Sequence, residues 1–148
     1  MIIAEEFICP TSDNKLEIQF FCFNGKVKHI LVRNDLGKKA EKSFAISYNL
    51  KWERVKERKD EDLAIQVDRP KHIDEMIRIA ETLAKPFPHV RVDLYYADEK
   101  IIFGELTFTT SGKVLYNYTE EAQLQWGKDF ELPKKINTKW SDYFTVYE

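Results

Sequence analysis

The sequence predicts an α+β fold, in which helices pack on one face of an antiparallel sheet of about six strands. Three observations support this prediction: an Asn-Gly pair between two apolar runs, a strongly amphipathic segment, and a later segment in which apolar and polar residues alternate. The chain has 148 residues, of which 43% are hydrophobic, and a chain of this length can bury a core without disulfide or metal support. We therefore expect residues 1–148 to form a single domain.

The composition excludes several classes of partner and location. The chain has 23 basic and 25 acidic residues, a formal net charge of -2, so it lacks the excess of positive charge that nucleic acids and anionic membranes attract. Cys9 and Cys22 form no CxxC or Cys/His metal spacing, which favours reduced thiols. No apolar stretch approaches the roughly 18 residues of a membrane helix. We predict a cytoplasmic protein with no nucleic-acid partner and no transmembrane segment.

The first predicted elements are strands that end at turn residues. Ile2–Ile8 is rich in β-forming residues and ends at a cluster of breaker residues. Lys15–Phe23 and Lys26–Arg33 are β-branched and aromatic, and they are separated by Asn24-Gly25. Because Asn and Gly tolerate the positive φ angles of a type I′ turn, this pair predicts a β-hairpin.

The middle of the chain predicts one long helix. Residues 34–69 are mostly polar, with Phe44–Tyr48 and Leu63–Ile65 as weak strand candidates. Pro70 suits the first turn of a helix, and Pro86 ends it. We expect the helix Pro70–Lys85 to pack on the core because its apolar residues recur with a helical period: Ile73, Met76, Ile77, Ala80, Leu83 and Ala84.

A second hairpin and a second helix follow. His89–Ala97 alternates between apolar and polar residues, and Ile101–Phe108 is its predicted antiparallel partner. Thr119–Lys128 begins with a residue suited to the N-cap of a helix. We expect both helices to cover the apolar face of the His89–Ala97 strand, which consists of Val90, Val92 and Leu94.

The loop between these two strands decides where Asp93 and Glu105 lie. A loop with an odd number of residues, centred on Glu99, pairs the two carboxylates on one face of the sheet. A two-residue loop, Asp98-Glu99, places them on opposite faces. The residues alone leave both arrangements open.

Carboxylates that face each other across two strands need a positive group between them. Mg²⁺ is one candidate, because it is commonly held by one or two carboxylates together with substrate phosphates. Arg91, next to Asp93 on the same strand face, is another, since it can bind phosphate oxygens or form a structural ion pair with Asp93. Two carboxylates also suit acid–base chemistry on a glycoside, and a merely solvated charged face is a further alternative.

Three segments resemble the TupA-like ATP-grasp family, which is associated with teichuronopeptide and other cell-surface polysaccharide biosynthesis. They are FFCFNGKVKHILV, PKHIDEMIRIAETLAK and FPHVRVDLYYADEKIIFGELTF. The resemblance runs from about Ile2 to Lys128, and its most specific parts are RVDLY, GELTF and FCFNGK. It implies an ATP-grasp C-terminal subdomain.

The resemblance also implies an ATP- and Mg²⁺-dependent carboxylate–amine ligase. In such enzymes the γ-phosphate of ATP passes to a substrate carboxylate, and an amine then attacks the acyl phosphate. The implied partners are therefore the nucleotide, a carboxylate-bearing saccharide or peptide acceptor, and an amine donor.

Carried over to this chain, the resemblance assigns roles to two groups of residues. Glu5 would bind the adenine amino group, the backbone of Glu6 and Ile8 would complete the adenine edge, and Phe7 would line the pocket. In the second group, Asp93 and Glu105 would bind Mg²⁺ and Arg91 would face the phosphoryl group. Thr107 stands where many ATP-grasp enzymes have Asn as a further ligand.

The opening IIAEEFI is similar to the adenine-binding hinge of ATP-grasp enzymes, and the implied family carries an N-terminal domain and much of a phosphate-gripping subdomain before this hinge. By this comparison the chain is expected to be a truncated catalytic half. One alternative is a non-catalytic binding or scaffold domain that self-associates through the surface left by the missing domain. Another is a glycosyltransferase-like protein in which the two carboxylates hold a divalent metal for a nucleotide-sugar.

Overall fold

A computed structural model of the protein describes residues 15–34, 44–60, 64–109 and 114–131. Its elements, in chain order, are β1 (Leu16–Phe23), β2 (Lys26–Arg33), β3 (Ala45–Tyr48), α1 (Ile73–Ala84), β4 (His89–Ala97), β5 (Lys100–Thr107) and α2 (Glu120–Asp129), with a short 3₁₀ turn at Val114–Asn117 before α2. The strands form one antiparallel sheet in the order β3-β2-β1-β4-β5. The predicted α+β class and the antiparallel sheet are confirmed.

The described part of the chain contains five strands, whereas about six were expected. The predicted strand Ile2–Ile8 lies outside the described residues. In the weak candidate Leu63–Ile65, the two described residues, Ala64 and Ile65, are not in a strand. Within these same ranges, no helix is long and apolar enough to cross a membrane.

The hairpin of β1 and β2 has the predicted turn. Asn24 and Gly25 both have positive φ angles, 51° and 74°, as a type I′ turn requires. The backbone N–H of Asn24 donates to the carbonyl of Pro88 at 2.8 Å. A Cβ on Gly25 would lie 3.3 Å from the Cα of Lys85. The turn is therefore fixed against the chain that leaves α1.

One face of the sheet forms the main core with α1. The buried side chains of α1 are Ile73, Met76, Ala80 and Ala84, which are four of the six apolar positions that the sequence pattern selected. They pack on alternate residues of the central strands, which include Ile18, Phe20, Cys22, Val90, Val92 and Leu94. The prediction that α1 covers the apolar face of β4 is thus confirmed.

The second helix lies on the opposite face, which corrects the expectation that both helices share one face. Trp126 of α2 packs on Phe21 with 4.7 Å between ring centroids, and Phe21 alternates with the core residue Phe20 along β1. The physical reason is that β1 carries apolar side chains on both faces near its C-terminal end, so each face must be covered by another element. The mainly aromatic cluster on this second face consists of Phe21, Phe23, Leu31, Tyr118 and Trp126.

A buried imidazole attaches α2 to this face. His29 Nδ1 lies 2.5 Å from the carboxylate of Glu57, and Nε2 lies 3.1 Å from the carboxylate of Asp129 at the end of α2. At the start of α2, the side chain of Thr119 accepts a hydrogen bond from the backbone of Ala122 at 3.2 Å, so the predicted N-cap is confirmed. The two ends of α2 are therefore held by polar contacts.

Cys22 provides a test of this packing. Its side chain is fully buried, and burial, together with the nearby charge of Glu81, raises the pKa of the thiol to about 12. Because the thiolate is the reactive form, we expect the native Cys9→Ser variant to react with a thiol reagent at pH 8 only as fast as it unfolds. The measurement is the rate of colour release from a disulfide reagent.

The control is the same variant in denaturant, where Cys22 should react fully and rapidly.

The pKa of the Cys22 thiol is higher in the folded chain than its unfolded value of about 8.5. The stability that the neutral thiol contributes should therefore decline as pH rises above that unfolded value. Rapid stoichiometric labelling of the native chain would show that α1 does not cover Cys22.

Candidate functional site

Asp93 on β4 and Glu105 on β5 face each other directly. They are Cα partners in the antiparallel register, although the loop between the strands is the two-residue Asp98-Glu99, with positive φ angles of 49° and 59°. A loop of this length, taken alone, puts the two carboxylates on opposite faces. A second feature of the hairpin must therefore change the register.

That feature is a β-bulge at Gly104. Asp93 pairs with Glu105 but Leu94 pairs with Phe103, so Gly104 is an extra residue in β5. One inserted residue moves every following side chain to the other face. The two alternatives left open by the sequence are thus combined: the loop has two residues, and the carboxylates nevertheless share a face.

Glycine is needed at the bulge because the backbone of β4 is very close. A Cβ at position 104 would lie 2.9 Å from the carbonyl oxygen of Asp93 and 3.2 Å from a ring carbon of Tyr95. A glycine inside a strand pattern is itself a signal for a bulge. Loop length alone does not reveal this bulge, which is why the register was left open above.

Arg91 is the cation between the two carboxylates. Its Nε donates to Asp93 Oδ1 at 2.7 Å and its Nη2 donates to Asp93 Oδ2 at 2.6 Å, a bidentate pair. The same Nη2 donates to Glu105 Oε1 at 2.8 Å. Thr107, which is opposite Arg91 in the register, donates its hydroxyl hydrogen to Glu105 Oε1 at 2.6 Å. The predicted site residues on β4 and β5 therefore form one cluster.

The two carboxylates of the cluster have different environments. The Asp93 side chain is 4% exposed, whereas that of Glu105 is 62% exposed. Burial raises the pKa of the Asp93 carboxyl to about 6; the hydrogen bonds and charge of Arg91 oppose this rise, and the charges of Glu17 and Glu105 add to it. Burial alone would lower the pKa of Arg91, but its hydrogen bonds and charge interaction with Asp93 outweigh burial and raise that pKa.

The cluster extends to two residues of β1 that the sequence analysis did not select. Gln19 is the Cα partner of Asp93 on β1, and its side-chain amide donates to Asp93 Oδ2 at 3.4 Å and to Glu17 Oε1 at 2.6 Å. Both Glu17 and Gln19 are buried. The available signal was their alternation with Ile18 and Phe20, which marks a polar stretch on one face of a strand treated as wholly apolar.

A comparison with families of known proteins finds a match over most of the chain. A family model described as TupA-like ATPgrasp matches residues 1–131. The chain belongs to this family. No curated protein and no solved structure matches the chain.

The donor set of this family member fits Mg²⁺ that carries a nucleotide. Two carboxylates at one point, one of them exposed, are a common protein contribution to a site that substrate phosphates complete. Across the described ranges, no group of three His, Cys, Asp or Glu side chains is placed to hold a metal ion. Arg91 contacts both oxygens of Asp93 and one oxygen of Glu105, so a metal ion held by the two carboxylates would share Asp93 with Arg91.

The adenine contacts implied by the ATP-grasp resemblance lie elsewhere in the chain. Glu5, Glu6, Phe7 and Ile8 are outside the described residues. Their roles stay predictions, as do those of Arg91, Asp93, Glu105 and Thr107 toward nucleotide and metal.

Gly104→Ala tests the bulge. We expect it to reduce the free energy of unfolding by about 1–3 kcal/mol, because the new methyl group forces a shift of the β4 backbone or a loss of the bulge. The measurement is urea-induced unfolding followed by fluorescence.

The matched control is Gly127→Ala in α2, where a Cβ would meet no atom within 4 Å. Alanine is the better helix former there by about 1 kcal/mol, so this variant should be as stable as the wild type or more so. Equal stability of Gly104→Ala and the wild type would contradict the register described above.

Proposed function

We propose that the cluster of Arg91, Asp93 and Glu105 binds the phosphates of Mg·ATP in a carboxylate–amine ligase. Family membership establishes the ATP-grasp class. The observation that supports the finer proposal is the bulge-enforced opposition of Asp93 and Glu105 with a guanidinium between them. A protein gains little stability from such an arrangement of buried charge, whereas a phosphate site makes use of it.

In this proposal each side chain has a distinct task. Asp93 and Glu105 hold Mg²⁺, which neutralises charge on phosphate oxygens when it is bound. Thr107 fixes the orientation of Glu105 through the 2.6 Å hydrogen bond. Arg91 orients and stabilises the phosphoryl group, since phosphoryl transfer depends mainly on positioning and on cationic donors.

Arg91 can change partners without losing its hydrogen-bond geometry. A guanidinium binds a phosphate with the same bidentate fork that it uses for a carboxylate. In the structure the fork compensates the buried Asp93. On nucleotide binding, part of the fork would pass to phosphate oxygens while Asp93 and Glu105 take the metal.

The wider assignment follows the family resemblance. The adenine would contact Glu5, Phe7 and the backbone of Glu6 and Ile8. The acceptor would be a carboxylate-bearing saccharide or peptide in the biosynthesis of teichuronopeptide or another cell-surface polysaccharide. The second substrate would be an amine donor. In this proposal residues 1–148 act in the cytoplasm as one C-terminal ATP-grasp subdomain.

A non-catalytic binding domain is the second candidate. Its support is the Arg91–Asp93 pair itself, because a bidentate guanidinium compensates a buried carboxylate by its own charge and hydrogen bonds. Such a domain would bind no nucleotide and would act through its surface, for example by self-association. The glycosyltransferase-like alternative would use the same two carboxylates for a metal-bound nucleotide-sugar.

Isothermal titration separates these candidates. We expect ATP and ADP to bind in the presence of Mg²⁺ and UDP-glucose not to compete. Asp93→Asn and Glu105→Gln should each weaken the Mg²⁺-dependent binding by about tenfold or more, a loss of at least about 1.4 kcal/mol, because each removes a charged metal ligand.

The control is Glu99→Gln in the same hairpin. The Glu99 side chain is 67% exposed, close to the 62% of Glu105, and among the described residues it forms an ion pair only with Lys71. The variant should bind ATP as the wild type does. Competition by UDP-glucose would favour the nucleotide-sugar alternative, and no binding of any nucleotide would favour the non-catalytic domain.

A further inference from the structure

Gln19 contacts the proposed metal ligand Asp93 from the side opposite to Glu105. It lies on β1, directly across from Asp93 in the register of β1 and β4. Its amide nitrogen is 3.4 Å from Asp93 Oδ2 and 2.6 Å from Glu17 Oε1. Asp93 is therefore held between a neighbour on β1 and the Arg91 fork.

The chemistry of the amide suits this place. Glu17 and Asp93 are 7% and 3% exposed, and buried carboxylates need hydrogen-bond donors. A lysine or arginine at position 19 would supply donors but would also add a positive charge beside the carboxylates. A glutamine supplies donors without charge, so the negative charge of Asp93 stays available to a metal ion.

We infer that Gln19 is a positioning residue for the Mg·nucleotide site, with Glu17 as its anchor. This inference rests on the function proposed above. When Arg91 moves part of its fork to a phosphate, Gln19 stays in contact with Asp93 Oδ2 and limits the rotation of the carboxylate. Glu17 fixes the amide in turn, through the shorter of its two hydrogen bonds.

The test compares ATP affinity with and without Mg²⁺ in the wild type and in Gln19→Met. Methionine has nearly the same length but no donor. We expect the gain in ATP affinity that Mg²⁺ produces to fall about tenfold or more, as is typical when a group that orients a metal ligand is lost. The affinity for ATP without Mg²⁺ should stay unchanged, which a merely structural role would not predict.

Two further variants keep the test decisive. Gln19→Met removes the amide donor of Glu17 and can unfold the chain. The double variant Glu17→Met/Gln19→Met therefore replaces both hydrogen-bond partners by apolar groups, a change that can be nearly neutral for stability. It should fold and show the same loss of Mg²⁺-dependent affinity. Leu31→Ala is the matched stability control.

Leu31 is the residue opposite Gln19 on β2, on the same sheet face and equally buried. Its truncation should lower the unfolding midpoint but leave the Mg²⁺-dependent gain intact. A wild-type chain that binds ATP with Mg²⁺, and a Gln19→Met variant with the same Mg²⁺-dependent gain, would overturn this inference alone. A wild-type chain that binds no nucleotide would overturn the proposed function and this inference together.

Discussion

The opposition of Asp93 and Glu105, with the Arg91 fork between them, is the constraint on which the geometry of the candidate site depends. Two carboxylates at one point of a sheet repel each other, and Asp93 is almost fully buried. A bidentate guanidinium at 2.6 and 2.7 Å makes this burial tolerable. The arrangement requires a fixed register between β4 and β5, and the Gly104 bulge supplies it.

The two faces of the sheet have different roles. The face under α1 is a continuous apolar core, which holds β1 and β4 rigidly and so fixes where their other side chains lie. The second face is aromatic at the end covered by α2 and polar at the end that carries the cluster around Asp93. A site on rigid central strands keeps its geometry better than a site on loops, and this architecture places Asp93 and Gln19 on two neighbouring central strands.

Local signals in the sequence predicted the local parts of this fold. Asn24-Gly25 predicted the first hairpin, and the helical period from Ile73 to Ala84 predicted α1, because a turn type and a buried helix face are both written in neighbouring residues. The resemblance selected Arg91, Asp93, Glu105 and Thr107, which the structure brings together.

Non-local features of the fold and of the site were missed. The register depends on the loop and the bulge together, and loop length alone cannot give it. The face that α2 covers depends on apolar residues on both sides of β1. Glu17 and Gln19 were hidden among apolar neighbours, and only their pairing with β4 shows what they contact.

Arg91 distinguishes the ligase proposal from the non-catalytic alternative, since it compensates the buried Asp93 in the structure and would share it with a metal ion in a nucleotide complex. The most direct measurement is the NMR signal of the Arg91 Nε–H group, assigned by its loss in Arg91→Lys, in the free chain, with Mg²⁺ alone, with a non-hydrolysable ATP analogue alone, and with both. The ligase account predicts a hydrogen-bonded signal in the free chain that shifts strongly only when Mg²⁺ and the nucleotide are present together. A signal that is the same under all four conditions would contradict it and leave the cluster as a structural ion pair.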